Sequence, residues 1–420
     1  MVPNQHLPSQ LGEIPDDWKR VRLSDVMKVR QGLQIAISER LKTPTVTSKE
    51  YITIQSIKKT EQGREYVEAP TQRVICEKED VLMTRTGNTG IVVTDVEGVF
   101  HNNFFLMDFK RNQIDKTFLV NYLRSTRVQH LILTKAGAST IPDLNHNDFY
   151  SIEFPLASLP EQRKIALILS TWDKAISSTE RLIDNSKQQK KALMQQLLTG
   201  KKRLLDDSGK PFEGEWVNIK LKDISTFITK GATPTTYGYE WQDSGIPFLR
   251  SECVGENGFK DSGLAYISEE AHEVMRRSKV FTGDILITIT GNVGRVCQLP
   301  DSISEANLNQ HIAKVTISSE SVASTFVYHV LSNSAYRRNF ERITTGQAYP
   351  QLSLEQIRNA VIDLPSKNEQ RKIAAVLTNA DKEIEFLEKQ LADLKQEKKA
   401  LMQQLLTGER RVKVDDKEVA

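Results

Sequence analysis

Two glycine-rich segments are the first places where this chain could perform chemistry. TGNTG at 86–90 and TGNVG at 290–294 have the glycine content of a phosphate-binding loop, but neither continues into the Gly-Lys-Ser/Thr of a P-loop. The seven histidines have no metal-ligand spacing, and no GxSxG or HExxH motif or Asn-Pro-Pro-aromatic methyltransferase signature occurs. We therefore predict tight hairpin turns at both segments, and a chain without catalytic residues or a metal site.

Binding is the other chemistry that the residue types suggest. Arginine, lysine, glutamine, asparagine, threonine and tyrosine read phosphates and base edges in DNA, and both halves of the chain contain mixed sets of them. The members with this chemistry are Arg30, Gln31, Gln34, Lys58, Lys59, Arg64 and Arg73 in the first half, and Lys230, Thr233, Thr235, Tyr237, Arg250, Arg276 and Arg277 in the second. For any one of these residues, a solvated surface position is the competing interpretation.

Residue type and repeat position together give a second set, which overlaps the first. We predict as DNA contacts Arg30, Gln31, Gln55, Lys58, Arg85, Asn88, Asn102, Lys230, Thr235, Tyr237, Arg250, Asn292, Asn309 and Gln347.

An internal repeat organises these residues. The segment KKALMQQLLTG occurs at 190–200 and again at 398–408, and EQRKIA occurs at 161–166 and 369–374. DVLMTRTGNTGIVVT (80–94) matches DILITITGNVGRVCQ (284–298) as strand, turn and strand. In the least similar region we align YITIQSI (51–57) with IPFLRSE (246–252), which pairs Ile54 with Leu249 and Gln55 with Arg250. The chain therefore consists of two similar halves with different loops.

Periodicity predicts the elements that position the loops. Alternating apolar residues predict short strands at 18–26 and 216–224, and helices are expected at 118–130 and 326–340. A 3.5-residue period then predicts two long helices that pack antiparallel on each other as a coiled coil, with polar breaks at Thr179, Ser186, Lys190 and Lys398. Two amphipathic helices, each packed on its own domain, are the alternative. The predicted seam includes Ile165, Trp172, Leu193, Ile373, Leu387, Leu394 and Leu401.

The predicted fold class is α+β, with two similar globular domains joined by the helix pair about a pseudo-twofold axis. The expected segments are an N-terminal arm and first recognition domain (1–157), a helix (158–200), a linker (201–213), a second recognition domain (214–366), a helix (367–408) and a tail (409–420). Net charge is +3, and the three cysteines are too few and too far apart for a disulfide framework. With no membrane-spanning or signal segment, we expect a cytoplasmic protein.

The chain resembles the specificity subunit of type I restriction–modification systems. The resemblance rests on the two half-repeats, the DVLMTRTGNTG and DILITITGNVG hairpins, LPEQRKIA at 159–166 with LPSKNEQRKIA at 364–374, and the KKALMQQLLTG endings. It implies two target recognition domains, each reading one half of a split, asymmetric double-stranded DNA site. It also implies helices that set the spacing and dock two modification (methyltransferase) subunits.

The same resemblance implies what the partners supply. S-adenosylmethionine, ATP and magnesium would be bound by the modification subunits and by a restriction subunit, and no cofactor by this chain, which would be non-catalytic. Base-reading residues vary within the family, so none is carried over from it. Two alternatives stay open at this stage: a coiled-coil interaction scaffold without sequence-specific DNA binding, and an enzyme active on its own.

Overall fold

The computed structural model of the chain describes residues 12–58, 63–137, 141–346 and 350–414, and the side chain of Lys58 is not included. These residues form two compact units. The first unit combines residues up to 180 with those from 389 onward, and the second unit comprises residues 181–388. Each unit therefore contains one globular region and a part of both long helices. Much of the predicted arm (1–11), Lys59, Gln347 and the end of the tail (415–420) lie outside the described residues.

The first globular region is mainly short strands followed by helices. Its elements are β1 (Lys19–Arg22), α1 (Leu23–Val26), β2 (Met27–Gln31), β3 (Lys49–Ile52), β4 (Tyr66–Val67), β5 (Ile75–Cys76), β6 (Val81–Thr84), β7 (Val92–Thr94), β8 (Gly98–Phe100), β9 (Phe104–Phe109), α2 (Lys116–Arg124), α3 (Thr126–Ala136), α4 (His146–Tyr150) and β10 (Glu153–Leu156). The first long helix, α5 (Leu159–Leu197), follows directly.

The second globular region repeats this order with one additional hairpin and one additional helix. Its elements are β11 (Val217–Lys220), α6 (Leu221–Ile224), β12 (Ser225–Lys230), β13 (Ile246–Leu249), β14 (Val254–Gly255), β15 (Gly258–Phe259), β16 (Ala265–Ile267), α7 (Glu269–Val274), β17 (Lys279–Phe281), β18 (Ile285–Thr288), β19 (Val296–Gln298), β20 (Glu305–Leu308), β21 (Ile312–Ile317), α8 (Ser324–Ser332), α9 (Ser334–Ile343), α10 (Leu354–Arg358) and β22 (Val361–Leu364). The second long helix is α11 (Lys367–Thr407).

The two regions have the same sheet topology. In the first, an antiparallel sheet of order β2-β9-β6-β7 is accompanied by a sheet of order β4-β3-β8-β5, in which β3 and β8 are parallel. The second has the orders β12-β21-β18-β19 and β16-β13-β20-β17, with β13 and β20 parallel. In each, the strand before the long helix pairs with the first strand of the region, as β1-β10 and β11-β22. The α+β class and the strand–turn–strand repeat are confirmed.

Some predicted elements are wrong in detail. The strands expected at 18–26 and 216–224 end at Arg22 and Lys220, and a single helical turn follows each. In the first unit, Asp25 Oδ2 accepts the Arg22 backbone N–H at 2.8 Å, which starts that turn. The helix predicted at 118–130 is two helices, because Ser125 adopts an extended conformation between them. Asn333 divides the second helical region in the same way.

Ion pairs join the two long helices within each unit. In the first unit Lys398 of α11 binds Asp173 of α5, and Lys395 binds Glu180. In the second unit the corresponding pairs are Lys190 with Asp381 and Lys187 with Glu388. In both units, moving forward along α5 from one ion pair to the next means moving backward along α11. The paired segments are therefore antiparallel. Lys190 and Lys398 were predicted as seam breaks, and each has a carboxylate on the opposite helix.

The predicted seam positions lie on the inward side of both helices. Ile165 and Ile373 are fully buried, and Trp172, Leu193, Leu387, Leu394 and Leu401 are half-buried. Ile165 shares the core of the first unit with Leu405 of α11, and Ile373 shares that of the second with Leu197 of α5. Each helix end therefore packs both on a globular region and on the other helix. No helix in the part of the chain described is long and apolar enough to cross a membrane.

A buried histidine distinguishes the two units where α8 meets α11. His329 is fully buried, with Nε2 3.0 Å from Thr378 Oγ1 and Nδ1 3.9 Å from Asp381 Oδ2. Burial, and then the charge of Lys190, lower the pKa of His329 to about 3. The equivalent position of α2 contains Asn121, which does not titrate.

We predict that His329 makes the second unit less stable in mild acid. Its pKa in the unfolded chain is about 6.5, so below that value the unfolded state binds a proton that the folded state does not. Stability therefore falls as the pH decreases, by about 1 kcal/mol at pH 5.5. Urea unfolding midpoints at pH 7.5 and 5.5 should differ more for the wild type than for His329→Asn. Equal differences would contradict the prediction.

Candidate nucleic-acid interface

The centre of each globular region is a point where two loops cross. In the first unit, the segment after β2 passes over the β8–β9 turn, and Leu33 N donates to Phe100 O at 2.9 Å. A Cβ on Gly32 would lie 2.0 Å from that carbonyl oxygen. In the second unit, Ala232 N donates to Leu308 O at 3.1 Å, and a Cβ on Gly231 would lie 1.8 Å from it. We call the loops at 32–34 with 101–103 and at 231–233 with 309–311 the first and second crossings. Each requires glycine because the two backbones touch.

The turn in each crossing is held by its first side chain. Asn103 N donates to His101 Nδ1 at 3.0 Å, and His311 N donates to Asn309 Oδ1 at 3.1 Å. Burial lowers the pKa of His101, which keeps its Nδ1 free to accept this hydrogen bond. Asn309, predicted as a DNA contact, is only 9% exposed and has this internal role.

The second residue of each turn meets the loop that passes over it. Asn102 Nδ2 donates to Gln34 Oε1 at 2.7 Å, and Thr233 Oγ1 donates to Gln310 Oε1 at the same distance. Gln34 and Gln310 are exposed. Equivalent backbone positions in the two units thus present different polar side chains to solvent.

The Gly-Asn-x-Gly segments are tight turns, as predicted. The hydroxyl of Thr84 donates to the Asn88 carbonyl oxygen and accepts from Ile91 N at 2.9 Å. Thr288 forms the same contacts with Asn292 and Arg295. Asn88 and Asn292 therefore lie exposed at the tips of their turns.

Arg85 is bound within the protein. Its Nη2 contacts both carboxylate oxygens of Asp143, at 2.9 and 2.8 Å, and its guanidinium lies over the Phe105 ring with the centroid 5.5 Å away. These contacts place its side chain in the link between the turn and the loop before α4. The equivalent residue in the second unit, Ile289, is buried.

Of the other predicted contacts, some form internal hydrogen bonds, some are exposed, and Arg250 does both. Arg30 Nη1 donates to Arg73 O at 2.8 Å, Gln31 Nε2 to Asn102 O at 3.4 Å, and Arg250 Nε to Gly263 O at 2.8 Å. Exposed side chains belong to Gln55, Lys230, Thr235, Tyr237 and Arg250. Gln55 borders a cavity of 390 Å³ that Tyr51 and His101 also line.

The predicted equivalence of Gln55 with Arg250 is wrong. Ile52 pairs with Phe100 in β8, and Leu249 pairs with Leu308 in β20, so Ile52 is the counterpart of Leu249. Arg250 then corresponds to Thr53.

Each long helix begins with a buried glutamate bound to an arginine that follows the other helix. In the first unit, the Glu161 carboxylate accepts hydrogen bonds from Arg411 Nε at 2.8 Å and from Trp18 Nε1 at 2.9 Å. In the second unit, the Glu369 carboxylate accepts hydrogen bonds from Arg203 Nε at 2.6 Å and Nη2 at 2.7 Å. Bonding to the carboxylates raises the pKa of both arginines. Neither arginine was predicted from the sequence, although both lie three residues after the repeated LTG.

The next residue of each helix fastens it to its globular region. Gln162 Nε2 donates to Gln113 O and Ala157 O, and its Oε1 accepts from Asp115 N. Gln370 makes the corresponding three bonds, with Ser321 O, Pro365 O and Ala323 N. The repeated EQRKIA is therefore the attachment point of helix and domain. Among the residues described, no group of three or more His, Cys, Asp or Glu side chains could hold a metal ion.

Comparison with known proteins explains why this arrangement occurs twice. The family model of the type I restriction modification DNA specificity domain matches residues 15–186 and again residues 213–396. The chain belongs to the type I restriction–modification DNA specificity family. Both copies of the family domain contain a crossing, a Gly-Asn-x-Gly turn and the start of a long helix.

Curated members of the specificity family align along almost the whole chain. A specificity subunit of the restriction enzyme MjaX of Methanocaldococcus jannaschii, named as putative, is 28% identical over 96% of this chain and 96% of its own length. The MjaVIII specificity subunit of that organism is 25% identical over 95% and 94%. The EcoBI specificity subunit of Escherichia coli is 22% identical over 90% of this chain and 82% of its own.

Solved structures show the same fold. The S subunit of a type I system from M. genitalium superposes with a TM-score of 0.60 at 15% identity, over 94% of this chain and 98% of its own. A chain from a study of complex assembly and conformational transition in a type I restriction–modification system gives 0.57 at 18% identity, over 95% and 100%. The specificity fold therefore covers both units.

We predict that Gly32→Ala disrupts the first crossing. The added methyl group cannot avoid the Phe100 carbonyl unless the backbone moves, at a cost of about 2 kcal/mol or more. Urea unfolding followed by circular dichroism should show a lower midpoint. Gly87→Ala is the matched control, because Gly87 has a φ of +81° but no atom within 4 Å of its Cβ position, so only about 1 kcal/mol of backbone strain is expected. Equal midpoints for the two variants would contradict the prediction.

Proposed function

We propose that this chain is the DNA sequence-specificity subunit of a type I restriction–modification complex, and that each unit reads one half of a split, asymmetric DNA site. The observation that carries the proposal is the pair of crossings. They have the same backbone contacts at Gly32 and Gly231, yet present different polar side chains. Amide and hydroxyl side chains on a rigid backbone suit the donor and acceptor pattern of base edges in the major groove.

The constant parts of the two units support a second role. Buried glutamates and glutamines attach α5 and α11 to the globular regions in the same way in both units. Lys190 and Lys398 bind carboxylates on the opposite helix, which favours one helix register. We propose that the helix pair sets the distance between the half-sites and docks two methyltransferase subunits.

Exposed apolar residues on the helices support the docking role. Leu167 and Leu182 of α5 are 60% and 52% exposed, and Phe386 of α11 is 67% exposed. Large exposed apolar side chains on a charged helix are typical anchors of protein interfaces.

We propose that the chain catalyses no reaction and that its partners supply the chemistry. S-adenosylmethionine would be bound by the methyltransferase subunits, and ATP and magnesium by a restriction subunit where one joins the complex. The three cysteines are buried and free, which is compatible with a reducing cytoplasm as the site of action.

Exchange of one recognition region should change one half-site. Replacing residues 28–150 with the corresponding region of another member of the family alters the first crossing but leaves both long helices intact. In the complex with the methyltransferase subunits, mapping of methylated adenines should show a new sequence in one half-site and the original one in the other. Changes in both half-sites, or no sequence preference in the wild-type complex, would contradict the proposed function.

Removing the exposed aromatic of α11 should weaken docking of the methyltransferase subunit. Phe386→Ser is expected to lower the affinity about tenfold, since a buried aromatic anchor contributes more than 1 kcal/mol to an interface. Titration calorimetry with the purified partner measures the effect. Val46→Ser removes an exposed apolar side chain from a loop of the first unit and is the control. Equal affinities for the two variants would place the docking surface elsewhere.

A further inference from the structure

The first crossing has hydrogen-bonding capacity that the protein does not use. Asn102 Nδ2 donates to Gln34 Oε1, so this hydrogen bond uses the nitrogen of one amide and the oxygen of the other. The other polar atoms of the two amides are Gln34 Nε2 and Asn102 Oδ1, and neither has a hydrogen-bond partner among the described residues. The Asn102 oxygen is also buried, so leaving it unpaired is unfavourable.

This unpaired oxygen points to a ligand. A buried amide oxygen without a hydrogen-bond partner is uncommon in folded proteins. The oxygen is no longer unpaired if the amide turns outward and accepts a hydrogen bond from a ligand. Gln34 is exposed, and Asn102 lies in the turn directly below it, held by Asn102 N donating to Leu33 O at 3.1 Å. The two side chains can therefore act on one group at the surface, with an amino group as donor and a carbonyl oxygen as acceptor.

We propose that Gln34 and Asn102 together read one adenine in the major groove of the half-site bound by the first unit, an inference that rests on the proposed function. Adenine presents an acceptor at N7 and a donor at N6 on that edge, which complements one free donor and one free acceptor. Guanine presents two acceptors on that edge. Cytosine presents only a donor and thymine only an acceptor, so neither complements both free groups. Exchanging the nitrogen and oxygen of both amides still leaves one donor and one acceptor.

The second crossing differs in a way that gives the chain an asymmetric site. Gln310 Oε1 accepts from Thr233, and Gln310 Nε2 lies 2.9 Å from His311 Nε2. His311 Nδ1 lies 2.6 Å from Thr290 Oγ1, so both ends of the Gln310 amide belong to an internal chain of polar groups. The free pair of the first crossing has no counterpart here.

The test uses the assembled complex with the methyltransferase subunits and a library of randomised duplex DNA. The wild-type sequence preference is determined first, and then that of Gln34→Leu, Asn102→Leu and the isosteric Gln34→Glu, which removes the free N–H donor. All three should lose discrimination at the same A·T pair in one half-site, by about tenfold or more, and keep it at every other position. Asn112→Leu, which replaces an exposed amide in the loop after β9, is the matched control and should change nothing.

The possible results separate the two proposals. A wild-type complex without sequence preference would overturn the proposed function itself. A wild-type preference that the three variants retain within about twofold, or a loss at a G·C pair or in the other half-site, would overturn only the assignment to Gln34 and Asn102. Unchanged circular dichroism and unfolding midpoints of Gln34→Glu confirm that a lost preference does not result from misfolding.

Discussion

The structure depends on a buried carboxylate that must be neutralised by an arginine distant in sequence. Glu161 is bound by Arg411, and Glu369 by Arg203, at the first turn of each long helix. Removing one partner of such a pair costs about 3–5 kcal/mol, because a charge is left buried and unpaired. The segment after one helix is therefore required at the start of the other. This requirement explains why LTG, the arginine after it and EQRKIA occur together in both halves.

Much of the fold follows from periodicity, but the partners of individual charges do not. The 3.5-residue spacing correctly predicted the long helices, and it marked Lys190 and Lys398 as interruptions of an apolar seam. Their aspartates are 191 and 225 residues away in the chain, and no local pattern indicates them. Arg85 shows the same limit. Its residue type suggests a DNA contact, but only the folded structure brings it to Asp143, 58 residues away.

The one wrong alignment has a simple physical cause. Side chains of a strand alternate with a period of two, so a shift of two residues preserves every inward and outward position. Aligning Leu249 with Ile54 satisfied the alternation as well as aligning it with Ile52, its true counterpart. Only the pairing of Ile52 with Phe100 of β8 distinguishes the two alignments. Gly32 and Gly231 are similar cases. Their φ angles do not require glycine, and the neighbouring carbonyl that does, that of Phe100 or Leu308, lies far along the chain from each glycine.

The seam lysines have a consequence for how the protein responds to ionic strength. The Lys190 side chain is 17% exposed and its partner Asp381 is 29% exposed, so dissolved ions screen this pair weakly, whereas Asp173, the partner of Lys398, is 55% exposed. Contacts with DNA phosphates are open to solvent and weaken steeply as counterions accumulate. In the proposed function, a rise in salt would release the DNA before it loosens the helices. The contact of α5 with α11 at Lys190 would then be unchanged when the protein binds its next target.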